Sequence, residues 1–160
     1  PPAPRSPPPP TPPGPPPPPR PPGPPPPRAS PPPPPAPAAA TEGIDYVVAH
    51  GTSTHGNDQS ETVAIKKVFG DDAHRLVISS PKSMAGHLTS AGAALNVLAA
   101  IGAINNSLVP PTINLTSPDR KLDLDYVPNT ARDQSVSNAL INAFAFGGTN
   151  ISLVVGGYER

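Results

Sequence analysis

Twenty-six of the 31 prolines lie in the first 40 of 160 residues, and that boundary decides where a fold can form. The same stretch carries Arg5, Arg20 and Arg28, no acid, and no hydrophobic residue larger than alanine. Such a segment has too little apolar surface to offset the entropy lost on ordering. Residues 1–40 are therefore expected to form a disordered, polyproline II-like arm, stiff over several residues and rising ~3.1 Å per residue where extended. Residues 41–160 are expected to hold the only globular unit.

That unit carries eight Lys/Arg and eleven Asp/Glu, a slightly acidic balance with no basic face for nucleic acid. About 120 residues suffice for one modest core and not for two. No cysteine occurs anywhere, which rules out a disulfide framework and fits a reducing, cytoplasmic setting. The longest apolar stretch, Ala91 to Ile104, is broken by Gly92, Asn96 and Gly102, and is too short for a membrane span of about 20 residues. The chain opens on Pro1 without the apolar centre of a secretory leader, and reads as a fragment or as a core fused to a low-complexity leader.

Ile44 to Ala49 reads as a buried strand ending at His50. A helical pattern begins at Asp58 or Gln59, with Val63, Ala64, Ile65, Val68 and Phe69 on or near one face, and Gly70 closes it. Leu76-Val77-Ile78 is a second short strand. The alanine- and glycine-rich run from Thr89 to about Asn105 reads as a central helix packed on several sides. Pro110-Pro111 breaks the chain before an extended Thr112-Ile113-Asn114-Leu115, and strand potential returns around Leu124 to Val127. Asn138 to Phe144 and Ile151 to Tyr158 form two closing strands joined through Gly147-Gly148 as a hairpin. The order β-α-β-α-β-β predicts a layered α/β half-domain on a mixed sheet, its last two strands antiparallel.

Two motifs follow strand ends, where open α/β sheets bind ligands: His50-Gly51-Thr52-Ser53-Thr54, and Lys82-Ser83-Met84-Ala85-Gly86-His87. A lone histidine there is more often structural. Two of them can converge as neutral N–H donors on one carbonyl oxygen, which suits enolate stabilisation. His87 is also expected at a helix N-terminus, where the local field disfavours imidazolium. Lys82 is either a solvated surface lysine or the partner of Glu61 in a buried ion pair. Thr52 and Thr54, spaced by Ser53, either face one side of a site or cap the following helix. Phe146-Gly147-Gly148-Thr149-Asn150 is either a turn that needs glycine for its backbone angles or a loop bringing an aromatic wall and an N–H to the site. His55 and His74 lie in polar surroundings. No residue pair has metal-ligand spacing, and no phosphate-binding glycine loop is present.

Read together, these strings resemble the C-terminal part of the β-ketoacyl-acyl-carrier-protein synthases, elongating condensing enzymes of thiolase-like fold. The resemblance runs from about Gly43 to Gly157. Its carriers are Ala49 to Thr54, Asn57-Asp58 with Glu61, Ser80 to His87, Val109-Pro110-Pro111-Thr112-Ile113-Asn114-Leu115 and Phe144 to Asn150. It implies decarboxylative condensation of malonyl-acyl carrier protein with an acyl thioester held on a cysteine. By the same resemblance, His50 and His87 bond the malonyl thioester carbonyl, and Lys82 organises the site with Glu61 as its ion-pair partner. Thr52 and Thr54 contact the phosphopantetheine arm. Phe146 gates the site with a backbone N–H in the oxyanion hole, followed by Gly147 and Gly148.

The resemblance further implies no cofactor beyond the carrier-borne phosphopantetheine, acyl carrier protein as partner, and a homodimeric full-length enzyme. Three departures stand out: His55 where many relatives have proline, Ala145 where glycine is frequent, and no cysteine-bearing N-terminal half among these residues. The expected chain is thus a C-terminal fragment for fatty-acid biosynthesis, inactive and marginally stable alone. A polyketide ketosynthase fragment is the rival within the class. A non-catalytic interaction protein is the rival outside it, since Pro15-x-x-Pro18-x-Arg20 and Arg28-x-x-Pro31-x-x-Pro34 fit SH3-ligand patterns.

Overall fold

Strand β1 (Tyr46–Val48) has side chains buried on both faces, and the rest of the fold is arranged around it. The computed structural model describes residues 41–157; the expectations for the proline-rich arm and for the end of the last strand at Tyr158 lie outside the described residues. β1 leads into helix α1 (His55–Phe69) and a 3-10 turn, Gly70–Arg75, then strand β2 (Val77–Ser79). A one-turn helix α2 (Lys82–Ala85) and a 3-10 turn, Thr89–Ala91, precede helix α3 (Gly92–Asn106). Short strands β3 (Leu108–Val109) and β4 (Arg132–Asp133) follow, then β5 (Asn138–Phe144) and β6 (Asn150–Gly156).

The main sheet has the order β2-β1-β5-β6. β1 runs parallel to β2 and to β5, and β5 runs antiparallel to β6. Alternation along β1 splits the core into two layers. Tyr46 and Val48 join Ala100, Ala103, Ala139 and Ile141 on the α3 side. Val47 and Ala49 join Ile65, Phe69, Leu76 and Ile78 on the α1 side. The architecture is the mixed, layered α/β arrangement that the element order predicts.

Because β1 leads through one face to β2, and β2 returns through the other face to β5, the order reverses between β1 and β5. That switch point, at the carboxyl ends of parallel strands, is where α/β sheets leave a crevice. His50 follows β1 there, and Phe144 ends β5.

Several local expectations need correction. α1 starts at His55, three residues before Asp58, because the Thr54 hydroxyl accepts the Asn57 N–H and caps it. Its buried face is Glu61, Thr62, Ile65 and Phe69; Val63, Ala64 and Val68 are exposed. α3 buries only Gly92, Asn96, Ala100 and Ala103, and leaves Leu98 and Ile101 exposed, so it is covered on one side rather than several. Leu124 to Val127 forms no ladder, only a bridge of Asp125 to Val77. Asp125 there takes Arg132 and the Val127 N–H, while Val127 turns to a φ of 45°. β3 pairs with β4 as a separate two-stranded ribbon with no signature in the sequence. Among the described residues no helix is long and apolar enough to cross a membrane.

Candidate active site

The chain after β1 is held by one carboxylate. Glu61, buried at the start of the second turn of α1, accepts the backbone N–H of His50 at 2.8 Å through Oε1 and that of Gly51 at 3.0 Å through Oε2. Side-chain amides complete its shell: Asn142 of β5 at 3.0 Å and Asn57 at 3.3 Å. Gly51 sits at a φ of 43°, and a Cβ there would come within 2.6 Å of Ser80 Cβ. Ser80 Oγ in turn donates to the Gly51 carbonyl. The turn after β1 is thereby locked to the turn after β2.

This arrangement fixes the His50 ring. Its Nδ1 accepts the Phe144 N–H at 3.3 Å, and its face lies 5.1 Å from the Phe144 ring centroid. A nitrogen that accepts an N–H carries no proton, so the proton of His50 sits on Nε2. His87 repeats the device: its Nδ1 accepts the Thr89 N–H at 3.0 Å, leaving Nε2–H as its donor. The two ring centroids are 5.8 Å apart with planes at 85°. Both rings line one cleft of about 170 Å³, together with Lys82, Ala143, Phe144 and Thr149.

Burial, and next the Lys82 charge, lower the His50 pKa below its ordinary range, with His87 adding to the lowering. Glu61 and Asp58 oppose this. Burial also lowers the Lys82 ammonium, against the opposing pull of Glu61. Lys82 is only 8% exposed. The cleft meets a larger cavity of about 340 Å³ that shares Lys82 and His87 and is lined by Thr52, Ile65, Ile113, Leu115 and Tyr126.

The sequence-predicted residues divide here. His50, His87 and Lys82 share a cleft. Glu61 adjoins it, but not as the partner of Lys82: its oxygens face the two backbone amides, and no ion-pair contact joins it to Lys82 among the described residues. His87 is not on the first turn of a helix; it follows α2, its Nδ1 accepts the N–H of Thr89 at the start of the 3-10 turn, and α3 begins five residues later, at Gly92. Thr52 and Thr54 do face each other, their hydroxyls 3.0 Å apart. Thr54 is occupied as the α1 cap, and Thr52 lines the larger cavity. Phe146 is fully exposed and lines neither cavity, whereas Gly147 and Gly148, at φ 84° and 81°, form the turn between β5 and β6. His55 and His74 are exposed.

Reasoning from sequence missed Phe144, Thr89, Asn142 and Asn96. Asn96 is wholly buried on α3 and donates to the carbonyls of Ala49 and Asn142, both at 3.3 Å. Among the described residues its Oδ1 has no hydrogen-bond partner. An asparagine in the middle of an alanine-rich helix is the signal that could have found it. Among the described residues no cluster of acids and histidines could hold a metal ion.

Residues 37–116 match the family model described as the β-ketoacyl synthase C-terminal domain. The chain belongs to the β-ketoacyl synthase family. It is 50% identical over 116 residues to 3-oxoacyl-[acyl-carrier-protein] synthase 2 of Coxiella burnetii, covering 72% of this chain and 28% of that one. It is 51% identical over 112 residues to nodulation protein E of Rhizobium meliloti, covering 70% and 28%. One solved structure is a type II polyketide synthase ketosynthase in complex with its acyl-carrier protein and bound to the hexaketide. It superposes with a TM-score of 0.72 at 37% identity, over 74% of this chain and 29% of that one. The chain thus spans little more than a quarter of the length of the relatives it matches. Its fold is the thiolase-like one.

Proposed function

We infer that this chain supplies the malonyl-activating part of a 3-oxoacyl-[acyl-carrier-protein] synthase of fatty-acid biosynthesis. The observation that carries the reading is the pair of imidazoles in one cleft, each with Nδ1 occupied by a backbone N–H and Nε2–H free to donate. A malonyl thioester carbonyl placed between them accepts both N–H groups. Loss of CO2 then leaves an enolate whose oxygen keeps both bonds. Neutral donors suit this step, because they stabilise developing negative charge without surrendering a proton. Glu61 holds the His50 turn, and Lys82 adds positive potential at the cleft. The shared larger cavity leads past Thr52 and accommodates the phosphopantetheine arm. Its carrier is an acyl carrier protein, the kind of partner seen with the polyketide ketosynthase.

Carbon–carbon bond formation also needs an acyl group on a nucleophile, and these 160 residues contain no cysteine. Alone, the chain is inactive in condensation; joined to an N-terminal ketosynthase half, in a homodimer in the cytoplasm, it completes the site. No cofactor beyond the carrier-borne arm takes part. The polyketide reading is kept because a polyketide ketosynthase also matches this chain, at 37% identity against 50% for the 3-oxoacyl-[acyl-carrier-protein] synthase. The test is CO2 release from a malonyl thioester by the full chain, followed by addition of an N-terminal half bearing the cysteine. The expectation is slow decarboxylation alone, lowered on the order of 10²-fold by His50→Ala or His87→Ala, and 3-oxoacyl products only after complementation. Linear saturated products favour fatty-acid synthesis, and poly-β-keto products the polyketide reading. A folded, complemented assembly that releases no CO2 refutes both.

A further inference from the structure

Lys82 is unusual for a lysine. Its side chain is almost fully buried, among the described residues no carboxylate lies within ion-pair distance of it, and it lines the same cleft as His50 and His87. Its Cε lies 3.8 Å from the place a Cβ would occupy on Gly92, the first residue of α3. The residue before Gly92, Ala91, offers no capping side chain, and the Gly92 N–H is taken by the Thr89 carbonyl of the 3-10 turn, so the Lys82 stem packs against the junction where that turn enters the helix. Burial disfavours an ammonium here, against the opposing pull of Glu61. The pKa of Lys82 is lowered by burial in keeping with this.

We propose that Lys82 is a thioester-reactive amine, and that acyl thioesters entering the cleft acylate it on Nζ. The proposal rests on the reading of the cleft as a thioester site. In the step, the neutral amine's lone pair attacks the thioester carbonyl carbon while the two Nε2–H groups hold the oxygen. The C–S bond breaks, an amide forms, and the proton lost from nitrogen passes to the departing thiolate. An acyl thioester and Lys82 thus become an N-acyl-lysine and a free thiol, with no oxidant, reductant or metal consumed. The chain has no cysteine to intercept the acyl group, and this amine lines the cleft of the donor pair together with the hydroxyls of Thr89, Ser90 and Thr149. The consequence is self-limiting: an acylated Lys82 loses its charge and fills the cleft.

The full 160-residue chain is incubated with acetyl-coenzyme A at pH 7.5, and the sites of acylation are timed by peptide mass spectrometry. Lys67, exposed on α1, is the internal reference. Lowering an amine's pKa raises its neutral fraction, so Lys82 is expected to gain the acetyl group several-fold faster than Lys67. Lys82→Arg should abolish that adduct and leave Lys67 labelling unchanged. In parallel, a ketone analogue with CH2 in place of the thioester sulfur is titrated while the imidazole resonances of His50 and His87 are followed. Shifts at both rings with Lys82 acylated no faster than Lys67 overturn the proposal and leave the thioester reading standing. A folded chain whose rings ignore the analogue overturns both.

Discussion

Replacing Glu61 by glutamine tests whether this acid clamps backbone or neutralises Lys82. The carboxylate accepts four N–H groups, two on each oxygen: His50 and Asn142 on Oε1, Gly51 and Asn57 on Oε2. Glutamine offers one oxygen and one NH2. In either orientation two donors face an NH2 and lose their acceptor, at roughly 1–3 kcal/mol each. The expected loss is about 4 kcal/mol, a large share of the ~5–15 kcal/mol typical of a domain. In urea, where m is roughly 1–3 kcal/mol/M for small proteins, the midpoint should fall by about 2 M. Lys82→Met removes a buried charge with no carboxylate in contact and replaces it with an apolar chain of similar length, so it should shift stability by under about 1 kcal/mol. A double-mutant cycle then separates the readings. A backbone clamp makes the coupling energy a small fraction of the Glu61→Gln cost. If Lys82→Met costs as much as Glu61→Gln, and the double variant no more than either, the two form an ion pair and the clamp argument is refuted.

Gly51→Ala should cost about 3 kcal/mol or more by thermal melting, since the added Cβ meets Ser80 Cβ at 2.6 Å and the backbone is left-handed; a shift within about 0.5 kcal/mol contradicts the turn lock. Tyr46, hydrogen-bonded to Ser79 and buried, has its pKa pushed up to about 12 from 10.0. The unfolded chain therefore gives up that proton first, and stability should fall as pH rises from 10 through 12, by about 3 kcal/mol in all. Tyr46→Phe should flatten that part of the pH curve, and an unchanged curve argues against it. β6 is an edge strand with Ile151, Leu153 and Val154 exposed, and α3 leaves Leu98 and Ile101 exposed. The isolated chain should therefore self-associate on size-exclusion chromatography as its concentration rises; a monomer at all concentrations with a cooperative melt contradicts that.

The parts of the fold legible in the sequence are those where pattern and packing coincide. The expected bounds of Asn138–Phe144 match β5, which sends Ala139 and Ile141 into one core layer and packs Leu140 against the other. Gly70 closes α1 with a positive φ that favours glycine there. The convergence of His50 and His87 was legible because both follow parallel strands whose carboxyl ends share one edge. What stayed hidden depends on contacts between residues distant in sequence. Glu61 and Lys82 have complementary charges, so spacing suggests a pair; the amides of His50 and Gly51 take the carboxylate because α1 packs directly beneath that turn. Phe144 reads as an apolar strand residue, and only its N–H, 94 residues away in sequence from His50, sets the histidine tautomer. α3 reads as a helix packed all round because its small residues suit close approach, while the described residues cover only one of its faces.

The central claim is that His50 and His87 both present Nε2–H to one cleft, and long-range 1H–15N correlation spectra of the 15N-histidine-labelled full chain test it most directly. At neutral pH the account predicts Nε2–H tautomers for both rings, with His50 resisting protonation below its ordinary range. An Nδ1–H tautomer at either ring, or an imidazolium at His50, would contradict it.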